Sequence, residues 1–232
     1  MLSGRLVSGD AEACPMSSLR HSPNTGPQTA LVTPEVRWTY RELADRVDSF
    51  AAGIGTTTDL RPGDRIMFQL GNAAETVVAY LGCVRAGLVP VCTLAQHGAR
   101  EVGLLAQHLG ARGLISQADF GGGRLLTIAE DLLSAGTVDT VITTRGVDPS
   151  SMASFDDVVA AGANSIPPRI DPELLDVAVF QLSGGTTGLP KIAPRLHEEY
   201  SYNSRAWAAA LGWTSETFEP VDCRGDLPGG FR

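Results

Sequence analysis

No run of apolar residues in this sequence approaches the ~20 that a helix needs to span a bilayer. The first residues, MLSGRLVSGDAEACPMSS, also lack the continuous apolar core of a signal peptide. Basic residues form no cluster and the net charge is −8, so neither nucleic acid nor an anionic membrane is expected as a main partner. The sequence therefore predicts a cytoplasmic protein that acts neither on nucleic acid nor at a membrane.

The cysteines form no pattern that is typical of a metal site or a disulfide framework. Cys14, Cys83, Cys92 and Cys223 are scattered, without a Cys-x-x-Cys pair. Because Cys83 and Cys92 lie in apolar segments, we expect them to be reduced residues of the core. No metal-binding cluster is predicted.

Short apolar runs alternate with stretches of helical period from about residue 29 onward. Strands are predicted at 30–33, 36–38, 66–70, 88–93, 113–116, 138–144 and 176–182, with helices between them that include 99–109, 125–134 and 155–162. The run DVAVFQL (176–182) shows no alternation, which is typical of a parallel strand covered on both faces. This order predicts an α/β fold, a layered parallel β-sheet with flanking helices.

The first helix carries clear local signals. Thr39 and Glu42 have the spacing of a capping box, in which each side chain satisfies a free amide at the helix start. One apolar face follows at helical spacing, formed by Leu43, Val47, Phe50, Ala51 and Ile54. We expect Gly53 and Gly55 to end this helix.

Two further signals concern the next strand and helix. Asn72 and Glu75 repeat the capping-box spacing before a second apolar helix. Pro90 interrupts the strand predicted at 88–93, so we expect that strand to be irregular or at an edge of the sheet.

The stretch SGGTTGLPK (183–191) directly follows the last predicted strand. Its glycines allow backbone amides to turn toward a bound group, and its hydroxyls and lysine add further donors. Such a loop at the carboxyl end of a strand predicts a cradle for a polyphosphate. The candidate ATP- and pyrophosphate-binding residues are Ser183, Gly184, Gly185, Thr186, Thr187, Gly188 and Lys191.

Two other interpretations of the loop concern a Walker A motif and an ordinary turn. It is not a Walker A loop, because Lys191 stands three residues after Gly188 instead of immediately after it. An ordinary Gly/Ser/Thr turn that joins two strands, with an exposed lysine, remains the alternative.

Residues 184–191 resemble the phosphate-binding signature of the adenylate-forming, or AMP-binding, superfamily, with Gly184 and Gly185 in place of its Ser-Gly pair. The longer stretch FQLSGGTTGLPKIAPRLHEEYSYNSRA (180–206) is similar to the aryl-acid branch, the 2,3-dihydroxybenzoate- and salicylate-AMP ligases of siderophore synthesis. The matching residues after the loop are Pro194, Arg195, His197, Tyr200, Tyr202 and Asn203. One departure lies at LAQHGAREV (94–102), where His97 matches but Ala95 and Gly98 replace a proline and an arginine. If that arginine supports the site, its loss weakens the site.

The resemblance implies ATP and Mg²⁺ as cofactors, an aryl acid as substrate and an aryl carrier protein as the acceptor of the acyl group. It also makes His197 a candidate substrate-side residue, although a capping or packing role is the alternative. No catalytic residue is identified. An acyl-CoA synthetase fragment and a non-catalytic nucleotide-phosphate-binding or interaction module are the alternative functions.

The resemblance covers residues 23–218, which we expect to form a partial N-terminal AMP-binding domain. Residues 1–22 are interpreted as a loose leader, and residues 219–232 as an irregular tail outside the resemblance. The hypothesis for the tail is an interrupted or frame-shifted reading frame. The chain is therefore expected to be a truncated and inactive portion of such a ligase.

Overall fold

The protein is described by a computed structural model over residues 28–146, 150–173, 175–183, 191–214 and 217. Its strands are β1 (Thr29–Val32), β2 (Arg37–Thr39), β3 (Arg65–Gln69), β4 (Val89–Cys92), β5 (Gly113–Gln117), β6 (Thr140–Thr144), β7 (Ala153–Ser154), β8 (Val177–Ser183) and β9 (Lys191–Leu196). Its helices are α1 (Tyr40–Thr57), α2 (Ala74–Arg85), α3 (Ala99–Leu109), α4 (Arg124–Ser134), α5 (Phe155–Gly162) and α6 (His197–Leu211). The predicted alternation of strands and helices is confirmed.

One seven-stranded sheet organises the described chain, in the order β7-β6-β5-β3-β4-β8-β9. Neighbouring strands are parallel except for β8 and β9, which are antiparallel. Strands β1 and β2 form a separate antiparallel pair. The predicted fold class, a layered and mostly parallel sheet with flanking helices, is confirmed.

Two apolar clusters cover the two faces of the sheet. One cluster joins α1, α2 and α5, with Phe50 and Phe155 stacked at 4.9 Å between ring centroids. The other joins α3 and α4 through residues such as Leu105 and Leu125, each at most 1% exposed. None of the helices in the described segments combines the length and the apolar character needed to cross a bilayer.

Helix α1 begins as predicted. The Glu42 N–H donates to Thr39 Oγ1 at 3.2 Å, and the Thr39 N–H donates to the Glu42 carboxylate at 2.7 Å. The predicted apolar face is buried, because Leu43, Val47, Phe50, Ala51 and Ile54 are each at most 6% exposed.

The predicted end of α1 is wrong. The helix continues through Gly53 and Gly55 to Thr57. A Cβ atom at Gly53 would overlap the Val158 carbonyl oxygen, and one at Gly162 would overlap the Ser49 carbonyl oxygen. These glycines therefore allow α1 and α5 to approach closely, and Gly53 is a packing residue instead of a helix terminator.

The capping box predicted for α2 is also wrong. The residue that precedes the helix is Ala73, and no side chain caps it. Glu75 instead accepts a hydrogen bond from Arg145 Nε at 3.0 Å. An ion pair between distant segments therefore takes the place of the expected local cap. Arg145 itself adopts a left-handed backbone conformation with φ of 55°.

Strand β4 lies between β3 and β8, so of the two alternatives predicted from Pro90 an edge position of the whole strand is wrong. Pro90 pairs with Ile66 of β3, whereas β8 joins β4 only at Val91 and Cys92. Because proline has no N–H to donate, it is tolerated where the second neighbouring strand has not yet begun.

Candidate functional site

Strands β8 and β9 form an antiparallel hairpin whose loop end carries both ends of the predicted cradle. Ser183 lies opposite Lys191, and both residues are exposed. The connection between them, residues 184–190, lies outside the described residues and includes the predicted site residues Gly184, Gly185, Thr186, Thr187 and Gly188. This connection has seven residues, more than the roughly 2–5 that are common in hairpins.

Lys191 is the sole lysine of the sequence, and the other residues in its Lys+Arg total of 18 are arginines. It is the first residue of β9 and is exposed, so an extended backbone fixes the direction of its Cα–Cβ bond and leaves the ammonium free to reach a ligand. The resemblance singled out this lysine by its position in the motif, but its uniqueness in the chain was missed.

The hairpin brings the loop to the carboxyl edge of the parallel sheet. Strand β8 is parallel to β4, with Val91 opposite Phe180 and Cys92 opposite Gln181. The segment that follows β4, residues 93–98, therefore leaves the same edge as the loop after Ser183. Ligands of parallel α/β sheets bind outside this edge.

Side chains from two other elements hold the segment after β4. Gln69 Nε2 donates to the His97 carbonyl oxygen at 2.9 Å, and Arg124 Nη2 donates to the Ala95 carbonyl oxygen at 2.6 Å. The Leu94 N–H donates to His97 Nδ1 at 3.3 Å. Arg124 of α4 thus supports this segment from outside it. Within the segment, Gly98 occupies the position at which the aryl-acid branch has an arginine of its own.

Gln69 and Arg124 were missed in the sequence. Their partners are 28 and 29 residues away, so no local motif links them to the segment. The one available signal for Arg124 is its place directly after the three glycines 121–123, at the start of a helix.

Residues 19–222 match the AMP-binding enzyme family. The chain belongs to this family. It is 36% identical over 215 residues to a Streptomyces protein named salicylyl-CoA synthase / salicylate adenylyltransferase, covering 88% of this chain and 38% of the relative.

Two further comparisons support membership of the AMP-binding family. The vibriobactin-specific 2,3-dihydroxybenzoate-AMP ligase of Vibrio cholerae is 34% identical, with 82% of this chain and 34% of the relative covered. The apo structure of Mycobacterium smegmatis MbtA matches with a TM-score of 0.76 and 35% identity, over 86% of this chain and 36% of that one. The predicted resemblance to salicylate- and 2,3-dihydroxybenzoate-AMP ligases is confirmed, and the chain spans about a third of the length of these relatives.

A tyrosine pair lies beside β4 and β8 in this AMP-binding chain. Gln181 Nε2 donates to the Tyr200 hydroxyl at 2.6 Å. Burial, and next a hydrogen bond with Tyr200, raise the pKa of Tyr80 well above its usual range. Burial also raises the pKa of Cys92 to about 11, so both groups stay protonated near neutral pH and neither is an activated nucleophile.

His197 lies at the other end of the hairpin from Ser183 and Lys191. It begins α6, just after the pairing of Val177 with Leu196, and Ser183 lies six positions along β8 from Val177. At ~3.3 Å per residue the separation is about 20 Å. His197 is 7% exposed, and its backbone N–H donates to the Asp176 carbonyl oxygen at 3.1 Å. The structure therefore does not bring His197 to the loop.

The other residues quoted for the resemblance lie on β9 and α6. Arg195 Nη2 lies 3.0 Å from the Glu199 carboxylate in an ion pair. Tyr202 and Asn203 are exposed, with Tyr202 at 65%. Tyr200, unlike them, faces the sheet through its contact with Gln181.

Proposed function

We propose that this chain forms the ATP-phosphate-binding part of an enzyme that activates an aryl carboxylic acid as its acyl adenylate. The proposed acids are 2,3-dihydroxybenzoate and salicylate, for siderophore biosynthesis. The observation that carries this proposal is the β8–β9 hairpin, which sets Ser183 opposite Lys191 at the carboxyl edge of the sheet. Membership of the AMP-binding family supports it, as does the similarity to a salicylate adenylyltransferase and to a 2,3-dihydroxybenzoate-AMP ligase.

The proposed reaction has two steps. An oxygen of the aryl carboxylate bonds to the α-phosphorus of ATP, the bond between that phosphorus and the bridging oxygen breaks, and pyrophosphate leaves. A thiol then takes the acyl group and AMP is released. The proposed contribution of residues 183–188 and Lys191 is to hold the β- and γ-phosphates, where negative charge collects as pyrophosphate departs.

Mg²⁺ is proposed to accompany the triphosphate. In the described segments, no group of three His, Cys, Asp or Glu side chains is arranged to hold a metal ion. Mg²⁺ commonly keeps several waters and binds substrate phosphates in such sites. We therefore propose that phosphate oxygens and water are the ligands of Mg²⁺. Residues 183–188 and Lys191 would interact with the negative charge of the magnesium–triphosphate complex and would not bind the ion itself.

The acceptor thiol has two candidates. An aryl carrier protein is the first, because of the resemblance to the aryl-acid branch. Coenzyme A is the second, because the name of the Streptomyces relative joins a CoA synthase with an adenylyltransferase. We propose a cytoplasmic location, since ATP is the substrate and the thiols of Cys83 and Cys92 are free.

Calorimetric titration of the purified chain with pyrophosphate and with Mg·ATP tests the proposal. Binding is expected to fall at least tenfold in Lys191→Ala, because one charge-assisted contact to phosphate contributes about 1.5–3 kcal/mol. Arg61→Ala is the charge-matched control, since Arg61 is exposed and precedes β3 at the opposite edge of the sheet. Binding that is equal in the two variants would remove Lys191 from the proposed role.

Pyrophosphate exchange driven by aryl acids separates an enzyme from a non-catalytic phosphate-binding module. We expect little or no exchange from the 232-residue chain alone, since it spans about a third of its relatives. Exchange that depends on salicylate or 2,3-dihydroxybenzoate would instead show that this chain is sufficient for adenylation.

A further inference from the structure

A polar cavity of about 110 Å³ lies in the half of the sheet away from the β8–β9 hairpin. It is bounded by the start of α2, the carboxyl end of β6 and the junction of β7 with α5. We call it the β6 cavity. Strands β6 and β8 are four positions apart in the sheet, which at ~4.8 Å per step is about 19 Å. The β6 cavity is therefore separate from the loop that is proposed to bind phosphate.

Two residues that line the β6 cavity each have a buried oxygen atom without a partner. Thr144 is 2% exposed, and its Oγ1 has no hydrogen-bond partner in the part of the chain that the structure describes. Glu75 Oε2 is likewise buried and unpaired there, whereas Glu75 Oε1 accepts a hydrogen bond from Arg145 Nε at 3.0 Å. Because a buried polar atom is costly to leave unpaired, these two oxygens indicate a bound group in the cavity.

Negative charge exceeds positive charge around the β6 cavity. Arg145 is the one basic residue among the described residues that line it. A hydrogen bond to Glu75 raises the pKa of Arg145, and the negative charges of Glu35 and Asp119 raise it further, while burial opposes the change. Asp156 adds another carboxylate from the first turn of α5. This excess of carboxylates over guanidinium favours a cation as the bound group.

An anion is the alternative ligand, because the N-terminus of a helix attracts negative charge. In α5, however, Asp156 and Asp157 already place two carboxylates in the first turn, and the Asp157 N–H donates to Ser154 Oγ at 3.4 Å. Arg145, the other group that could hold an anion, is already engaged by Glu75. An added anion would meet these carboxylates, so the cation is the favoured ligand.

The oxygen atoms of the β6 cavity suit a monovalent cation better than a divalent one. Ca²⁺ takes about 6–8 oxygen ligands, commonly with several carboxylates among them. Across the described segments, no group of three His, Cys, Asp or Glu side chains is arranged to hold a metal ion. Neutral oxygens are sufficient to replace the hydration shell of K⁺, so one carboxylate oxygen and one hydroxyl, completed by water, match a single positive charge.

We propose that the β6 cavity binds a monovalent cation, Na⁺ or K⁺, between Glu75 Oε2 and Thr144 Oγ1. The ion links the start of α2 to the end of β6, which are 69 positions apart in the sequence at these two residues. Since this site exists only in the folded chain, the ion stabilises the fold. The proposal needs no nucleotide and no aryl acid, so it stands or falls independently of the proposed function.

Thermal unfolding of the 232-residue chain in different chloride salts tests the proposal. At equal ionic strength, the melting temperature is expected to be about 3 °C or more higher with Na⁺ or K⁺ than with tetramethylammonium. The methyl groups of tetramethylammonium keep oxygen ligands away from its charge. The larger of the two increases identifies the preferred ion.

Thr144→Val keeps the shape of the side chain and removes the hydroxyl, so it should abolish this difference between the salts. Thr140→Val is the matched control, because Thr140 lies on the same strand but does not line the cavity. It should retain the full difference. If Thr144→Val does not fold, Thr144→Ala replaces it.

The line width of the ²³Na NMR signal measures binding directly on the folded chain. The unsubstituted chain and Thr140→Val are expected to broaden the signal, and Thr144→Val is expected to broaden it much less. Equal cation effects in the two threonine variants would overturn the proposal by assigning the effects to the acidic surface in general. The absence of any cation dependence in both measurements would also overturn it, and the β6 cavity would then hold water only.

Discussion

Burial of the His197 imidazole shows how one side chain couples the fold to pH. Desolvation lowers the pKa of His197 below its usual value, and nearby Asp176 opposes this in part. The unfolded chain therefore binds a proton at this residue more readily than the folded chain does. The stabilising contribution is complete above about pH 6.5 and is lost as the pH falls through that value.

We expect the unfolding free energy to fall between about pH 7.5 and about pH 5.5, and to fall less in His197→Gln. Urea unfolding at both pH values measures the difference. His108→Gln, which removes an exposed imidazole, controls for the loss of a histidine as such. Parallel pH profiles for the unsubstituted chain and His197→Gln would refute this role of burial.

Among the elements, the crossing of α1 and α5 gives the sharpest contrast between two similar residues. Both Gly53 and Gly55 lie in α1, but only Gly53 faces a backbone carbonyl, that of Val158. A Cβ at Gly55 would have no neighbour within 4 Å. The same substitution should therefore have opposite effects at the two positions.

Gly53→Ala is expected to destabilise the chain by roughly 1–3 kcal/mol or more, because α5 must move away from α1. Gly55→Ala is expected to stabilise it by up to about 1 kcal/mol, because alanine favours the helix. Chemical denaturation of both variants provides the measurement. Equal effects of the two substitutions would contradict the close approach of α1 to α5.

How much of these elements can be predicted from the sequence depends on how far apart the interacting residues lie along the chain. The capping box of Thr39 and Glu42 was predictable because both halves lie within one helical turn. The role of Gly53 was not, because it depends on α5, which lies about a hundred residues further along the chain. The interior position of Pro90 likewise follows from where β8 joins the sheet, which no local pattern shows.

The candidate site was predictable for the same reason that the capping box was. Ser183 to Lys191 form one continuous motif, and their resemblance to the AMP-binding signature needs no tertiary information. The support of the neighbouring segment by Gln69 and Arg124 arises only once β3, β4 and α4 are assembled. The glycine-rich residues 184–190 lie outside the described structure, so their role stays a prediction.

For the molecule as a whole, the net charge of the protein opposes the binding of a triphosphate at the carboxyl edge of the sheet. The chain carries a net charge of −8, so a bound triphosphate experiences repulsion from the protein overall. Local donors and the ammonium of Lys191 must overcome it. Since Lys191 is the sole lysine of the sequence, its amine can be observed by itself.

The most direct test of the account is the NMR signal of ¹³C-dimethylated Lys191. Reductive methylation labels only this ε-amine and the N-terminal amine, keeps the positive charge, and is assigned by the loss of one signal in Lys191→Arg. A saturable shift of the Lys191 signal on addition of pyrophosphate or Mg·ATP, absent with chloride at equal ionic strength, is predicted. A signal that does not move while the chain stays folded would show that the β8–β9 hairpin does not hold a triphosphate.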